Sequence, residues 1–246
     1  MVSVPVANPF DKAYVDFDPT EPNRLTGSLG HDGVVFIQVQ STGAGDTLSS
    51  GSGSLLYTGR HILTAAHVLP DDLSNLSQMG IIFGSPEEIV TFSTADTQIE
   101  DIDIHPQWGG KNNINGGFDV AVITLAEKAP LWADRYSLYG ENDEIGNTTT
   151  HVGYGRPSNG ADGFAEDEGS SIRRIGNNTY DASIDPNQVD GSDAALANAV
   201  SMAASSSDTI LLYDFDSGQP QDDPIGDILG ANLGLGNNEV GTTPGD

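Results

Sequence analysis

The chain contains an imidazole and a carboxylate whose surroundings suit acid–base chemistry. His67 follows an apolar segment directly, and Asp119 opens another apolar segment further along the chain. A serine hydroxyl is a poor nucleophile near neutral pH and needs an imidazole to take its proton, and that imidazole needs a buried carboxylate to fix its tautomer. His67 and Asp119 are candidates for such a base and such an orienting acid, although Asp119 taken alone would be interpreted as a capping residue of the strand that it opens.

The segments around both residues carry a family resemblance. Residues 62–68, Ile-Leu-Thr-Ala-Ala-His-Val, resemble the histidine segment of the trypsin-like (chymotrypsin-fold) serine proteases. Residues 118–125, Phe-Asp-Val-Ala-Val-Ile-Thr-Leu, resemble the aspartate segment of that family, and residues 104–108 resemble the stretch that precedes it. The resemblance implies that His67 is the general base and that Asp119 orients it.

The third motif of that family, Gly-Asp-Ser-Gly-Gly-Pro, has only its first two residues at the end of this chain, as Gly245 and Asp246. We expect that the sequence is cut just before the nucleophilic serine. By the resemblance, Gly245 would lend its backbone N–H to the oxyanion hole. Gly241 stands where an Asp would indicate Lys/Arg specificity, so that specificity is not predicted.

Ser217 is the alternative nucleophile inside the chain, because Asp216-Ser217-Gly218-Gln219-Pro220 superficially matches the serine motif. Phe215 stands where the oxyanion glycine should be, and Gln219 replaces the second glycine. The residues after Ser217 are also too few for the strands that complete such a fold. A polar turn is the stronger interpretation of this segment.

Cofactor motifs are absent from the sequence, and no cofactor is predicted. Four acidic residues could supply hard oxygen ligands for Ca²⁺, but their spacing does not match the twelve-residue calcium loop, and an acidic loop remains the simpler interpretation. These four residues are Asp214, Asp216, Asp222 and Asp223.

The charge and composition of the chain limit which partners and which cellular location are expected. The chain has 9 Lys and Arg against 36 Asp and Glu, a net charge of −27, which disfavours nucleic acid as a partner. It has no cysteine, which points to a bacterial relative of the family. No apolar run is long enough to cross a membrane. We expect a secreted bacterial protein, although the N-terminus shows no signal peptide.

Short alternating segments with many glycines predict an all-β protein. Residues 34–40 read as a strand, with Val35, Ile37 and Val39 on one face, and residues 41–52 read as a loop. Further strands are predicted at the ranges 54–57, 61–64, 81–83, 89–92, 98–104, 120–125, 148–155 and 210–215.

The family resemblance implies two antiparallel β-barrels with the active site between them. Residues 1–27 would be an N-terminal arm, and residues 28–130 the first barrel with His67 and Asp119. Residues 131–246 would be a second, incomplete barrel with a long polar insertion over 156–229.

The predicted function is that of a serine endopeptidase acting on proteins or peptides, of which this chain is a fragment inactive by itself. The alternative is a non-catalytic acidic binding or surface module on the same scaffold. The oligomeric state is not predicted.

Overall fold

The computed structural model describes residues 15–17, 31–42, 47–84, 88–112, 117–155, 158–159, 163–164, 173–185, 200–201 and 210–213. Ser217, Gly245 and the four acidic candidates for calcium lie outside these residues. The described chain is all-β, as predicted, with short 3-10 turns at Ala66–Val68 and Leu73–Asn75. The strands are β1 Val15–Phe17, β2 Val34–Ser41, β3 Thr47–Leu55, β4 His61–Thr64, β5 Leu76–Gly84, β6 Ile89–Ser93, β7 Ile99–Ile104, β8 Ala121–Leu125, β9 Thr148–Gly153, β10 Ser158–Asn159, β11 Gly163–Phe164, β12 Arg173–Thr179, β13 Ala182–Ile184, β14 Val200–Ser201 and β15 Ile210–Leu212.

A seven-stranded antiparallel sheet dominates the fold, in the order β6-β5-β2-β3-β4-β8-β7. Strand β2 shows why it forms. Val35, Ile37 and Val39 are fully buried in its large apolar core, whereas Gln38 and Gln40 are exposed, which is the alternation that a strand requires. Burying apolar surface in this way contributes about 25 cal/mol per Å².

Strand β3 corrects the prediction of a loop over residues 41–52. Residues 47–52 form part of β3, which pairs with β2 on one side and, further along, with β4 on the other. The glycines of β3 lie where neighbouring side chains approach closely. A Cβ atom added to Gly53 would lie 2.6 Å from Cγ2 of Ile62 and 2.9 Å from Cδ1 of Ile37. Close packing therefore excludes the large side chains that usually mark a strand.

Smaller sheets form the rest of the described chain. Strand β12 lies between β1 and β9, strand β13 lies between β14 and β15, and β10 pairs with β11. This part contacts the large sheet through Tyr154, which packs against Phe36 with ring centroids 5.3 Å apart. The backbone N–H of Tyr154 also donates to Oγ of Ser52 at 2.8 Å.

Arg173 is the second link between the two parts of the chain. Its side chain is fully buried, and its guanidinium donates to Oδ1 of Asp32 at 3.0 Å and to the carbonyl of His31 at 3.0 Å. The positive charge of Arg173 thus lies against the carboxylate of a residue just before β2.

Among the described residues, no helix has the length and apolar character needed to span a membrane.

Candidate active site

His67 is held by the 3-10 turn that follows β4. Its neighbours Ala66 and Val68 are buried in the apolar core, and the backbone N–H of Leu69 donates to the carbonyl of Ala66 at 3.0 Å. Because alternate residues of the turn are anchored in the core, the side chain of His67 between them reaches the surface, where 41% of it is exposed. The turn therefore presents an imidazole that a substrate can reach.

Strand β3 packs against this turn. A Cβ atom added to Gly51 would lie 2.5 Å from Cγ2 of Val68, so only glycine leaves room for the valine. The hydroxyl of Ser49 donates to the carbonyl of Val68 at 3.1 Å. Small residues on β3 thus fix the residue that directly follows His67.

Asp119 is placed by an unusual piece of backbone before β8. Gly117 and Phe118 both have positive φ angles, 72° and 60°. The N–H of Val120 then donates to the carbonyl of Phe118 at 2.8 Å, which closes a three-residue turn centred on Asp119. Since Thr64 of β4 pairs with Ala121 of β8, this turn lies beside the turn that carries His67.

The structure brings His67 and Asp119 into direct contact through two hydrogen bonds. Oδ2 of Asp119 lies 2.6 Å from Nδ1 of His67, and Oδ1 accepts the backbone N–H of His67 at 2.8 Å. An ionised carboxylate can only accept hydrogen bonds, so Nδ1 carries the hydrogen. The neutral ring therefore has Nε2 free to accept a proton from another group.

Burial shifts the pKa values of titratable side chains on other elements of the described chain. Burial lowers the pKa of His151, whose Nε2 lies 2.9 Å from Oγ1 of Thr149. Burial, with a further contribution from the charge of Asp134, raises the pKa of Tyr136. His61 is paired with Thr58, whose Oγ1 lies 2.6 Å from its Nδ1. Of these histidines and His67, only His67 has the carboxylate partner that general-base chemistry requires.

Comparison with known proteins identifies the family. The family model described as Trypsin matches residues 30–194, which is more than half of the chain. The chain belongs to this family. One solved structure, titled as HL collagenase, matches with 17% sequence identity and a TM-score of 0.43, covering 68% of this chain and 61% of that chain. The match thus spans less than two thirds of the solved chain. No curated protein matches.

The remaining candidates of this trypsin-family chain stay predictions. Ser217 and Gly245 lie outside the described residues, as do the acidic residues considered for Ca²⁺. Within the described part of the chain, no group of three or more His, Asp or Glu side chains is arranged to hold a metal ion.

Sequence reasoning missed the residues that position the pair. Ser49, Gly51 and Phe118 were not predicted to have a role, although each lies next to the turns that carry His67 and Asp119. The glycines at 51 and 53 are the one signal that could have indicated a close approach of neighbouring segments, because alternating glycines on a strand leave one face bare.

Proposed function

We propose that this chain carries the base and the orienting acid of a serine endopeptidase. The observation that supports this most is the double contact between Asp119 and His67, at 2.6 Å to Nδ1 and 2.8 Å to the backbone nitrogen. Holding one carboxylate by two donors fixes both the tautomer and the direction of the ring. The membership of the trypsin family is the independent support.

The mechanism begins with a serine hydroxyl attacking the carbonyl carbon of a peptide bond. Nε2 of His67 takes the hydroxyl proton, and Asp119 stabilises the imidazolium that forms. The proton then passes from His67 to the leaving amine, and water repeats the sequence to release the acyl group. Backbone N–H groups, among them that of Gly245, would hold the oxyanion. No step requires a cofactor.

The nucleophile is proposed to be a serine directly after Asp246, in the protein of which this sequence is a part. The 246-residue chain alone would then hydrolyse peptides very little, since removing the nucleophile of a serine protease costs on the order of 10⁶-fold in kcat. Ser217 is the second candidate for this role. The strongly acidic composition without cysteine favours a secreted bacterial protease.

Labelling with a fluorophosphonate probe tests the proposal, because the probe reacts with a serine only when its base is in place. The 246-residue protein and a protein extended through the codons that follow Asp246 are treated in parallel. We expect labelling of the extended protein alone, and its loss in His67→Ala. A matched control is His61→Ala, which removes a histidine without a carboxylate partner and should leave labelling unchanged.

Two other outcomes would replace this proposal. Labelling of the 246-residue protein that disappears in Ser217→Ala would assign the nucleophile to Ser217. Absence of labelling in both proteins, with both folded, would favour the non-catalytic binding module on the protease scaffold.

A further inference from the structure

Phe118 has a backbone conformation that its own side chain opposes. Its φ angle is 60°, in the left-handed region where Cβ comes too close to the following carbonyl oxygen. A bulky residue in this region is an outlier that persists only when its surroundings hold it there. The strained residue is the immediate neighbour of Asp119, so its conformation decides where the carboxylate of Asp119 is directed.

The ring of His105 is the contact that holds Phe118. The two rings are stacked, with centroids 4.9 Å apart and planes only 11° from parallel. Such a parallel contact restricts the orientation of the Phe118 side chain, which is attached to the backbone directly before Asp119. Neither residue takes part in the proton transfers described above.

His105 is itself fixed by the end of the large sheet. Its backbone N–H donates to the carbonyl of Val120 at 2.9 Å, and its carbonyl accepts the N–H of Trp108 at 2.9 Å. Its Nδ1 accepts the N–H of Gln107 at 3.3 Å, which sets the direction of the ring. Trp108 packs against the apolar core. A continuous set of contacts therefore runs from the core through His105 and Phe118 to Asp119.

The geometry points to His105 and Phe118 as positioning residues of the site: their stacked rings hold the backbone before Asp119 in a left-handed conformation, so that both carboxylate oxygens reach His67. This inference rests on the proposed function for its catalytic meaning. Its structural content does not depend on where the nucleophile lies, because it concerns the contact between Asp119 and His67 alone.

The hydrogen-bonded Nδ1 proton of His67 provides the test, since its NMR resonance is observable in the 246-residue protein without any hydrolysis. His105→Ala removes the stack and should broaden or shift this resonance. His105→Phe keeps an aromatic ring at the same place and should restore it. Thr97→Gly is the matched control, because Thr97 is another described non-glycine residue with positive φ, at 57°, and lies before β7 whereas His105 follows its other end. Its replacement should leave the resonance unchanged.

Activity of the extended protein gives the second readout. His105→Ala should lower kcat by about 10- to 100-fold, the loss expected when a catalytic group is displaced by up to 1 Å, with KM little changed. A folded His105→Ala protein with an unchanged resonance overturns the inference. So does a folded His105→Phe protein that loses as much as His105→Ala. If His105→Ala does not fold, Phe118→Leu decides, because leucine keeps a bulky side chain that opposes the left-handed conformation but has no ring to stack. An unchanged resonance in that variant also overturns the inference.

Failure of the positioning inference and failure of the proposed function are distinguishable. An extended protein that neither hydrolyses peptides nor reacts with the probe refutes the endopeptidase. If the resonance of His67 still follows the presence of the stack in that protein, the positioning role stands.

Discussion

The two halves of the described chain bury different kinds of side chain. The sheet formed by β2 to β8 encloses an apolar core that includes Ile37, Leu55, Ile62, Ile81 and Ile123, all fully buried. The segment 173–185 instead accounts for most of the buried polar residues of the described chain, which are Thr64, Ser93, Arg173, Asn178, Thr179, Asp181, Ser183 and Asp185.

This contrast bears on how the first half holds His67 and Asp119 in contact. An apolar core is close-packed and leaves little room for the groups attached to it to move, whereas buried polar groups depend on their partners being kept in place. His67 and Asp119 are attached to the apolar half by turns that directly adjoin β4 and β8. The second half buries Arg173, whose ion pair with Asp32 joins it to the first.

The largest expected effect concerns the apolar half and its site. In the extended protein, Asp119→Asn should lower kcat by about 10⁴-fold, because an amide stabilises the wrong tautomer of His67. Thermal unfolding should show that the fold persists. Asp103→Asn, which changes an exposed carboxylate on the neighbouring strand β7, is the matched control and should keep full activity. Equal losses in the two variants would refute a specific role for Asp119.

The next effect compares the buried ion pair that joins the two halves with a surface pair of the first half. Arg173→Met leaves Asp32 without its buried counter-charge and should lower the free energy of unfolding by about 3–5 kcal/mol. Arg60→Met breaks the pair of Arg60 with Glu100, whose side chains are 35% and 57% exposed, and removes the hydrogen bond from Nε of Arg60 to the carbonyl of Leu125. It should cost about 1–2 kcal/mol. Urea unfolding measures both.

The double variant Arg173→Met with Asp32→Leu sharpens this comparison. Replacing both charges by apolar groups should recover much of the loss, because no uncompensated charge then remains buried. If the single variant Arg173→Met lost less free energy of unfolding than Arg60→Met, the view that the second half depends on its buried charge would be contradicted.

A smaller effect tests the support beneath His67. Gly51→Ala places a methyl group 2.5 Å from Cγ2 of Val68 and should cost about 1–3 kcal/mol through overpacking. Gly80→Ala is the control on strand β5, where the added methyl would lie 3.8 Å from Cγ2 of Thr91, an ordinary contact. The pair Gly51→Ala with Val68→Ala makes room and should be less damaging than the sum of its parts. Additive losses would show that the two residues are not coupled.

The smallest effect is a dependence on pH in the second half. Burial holds the pKa of His151 below 6.5, its value in the unfolded chain. As the pH falls, the unfolded chain therefore takes up this proton first, and the free energy of unfolding decreases below pH 6.5. His151→Phe keeps a ring beside Tyr180 and Tyr213 without a titrating nitrogen. Unfolding curves recorded above and below pH 6.5 give the free energy of unfolding at each pH. This free energy should depend less on pH in the variant, and an equal dependence in both proteins would exclude His151 as its source.

The sequence predicted most of the strands that carry large alternating side chains, such as β2 and β8, because one buried face per strand leaves a clear pattern. It missed the first part of β3, where serine and glycine hide that pattern.

The pair His67 and Asp119 was predicted from its motifs, and the structure places the two residues in contact, while their catalytic roles stay a prediction. The left-handed conformation of Phe118 could not be predicted, because it depends on a ring that another strand supplies. The burial of Arg173 was equally hidden, since it depends on a carboxylate more than a hundred residues away.

Arg173 also provides a way to measure local opening of the sheet that contains β12. No lysine or arginine follows Arg174, so an arginine-specific protease that cuts after position 173 or 174 releases everything beyond as one large piece. In the folded protein Arg173 is fully buried and stands in the central strand of its sheet, where a protease cannot bind the backbone in extended form. The rate at which that piece appears under limited digestion therefore measures how often β12 separates from β1 and β9.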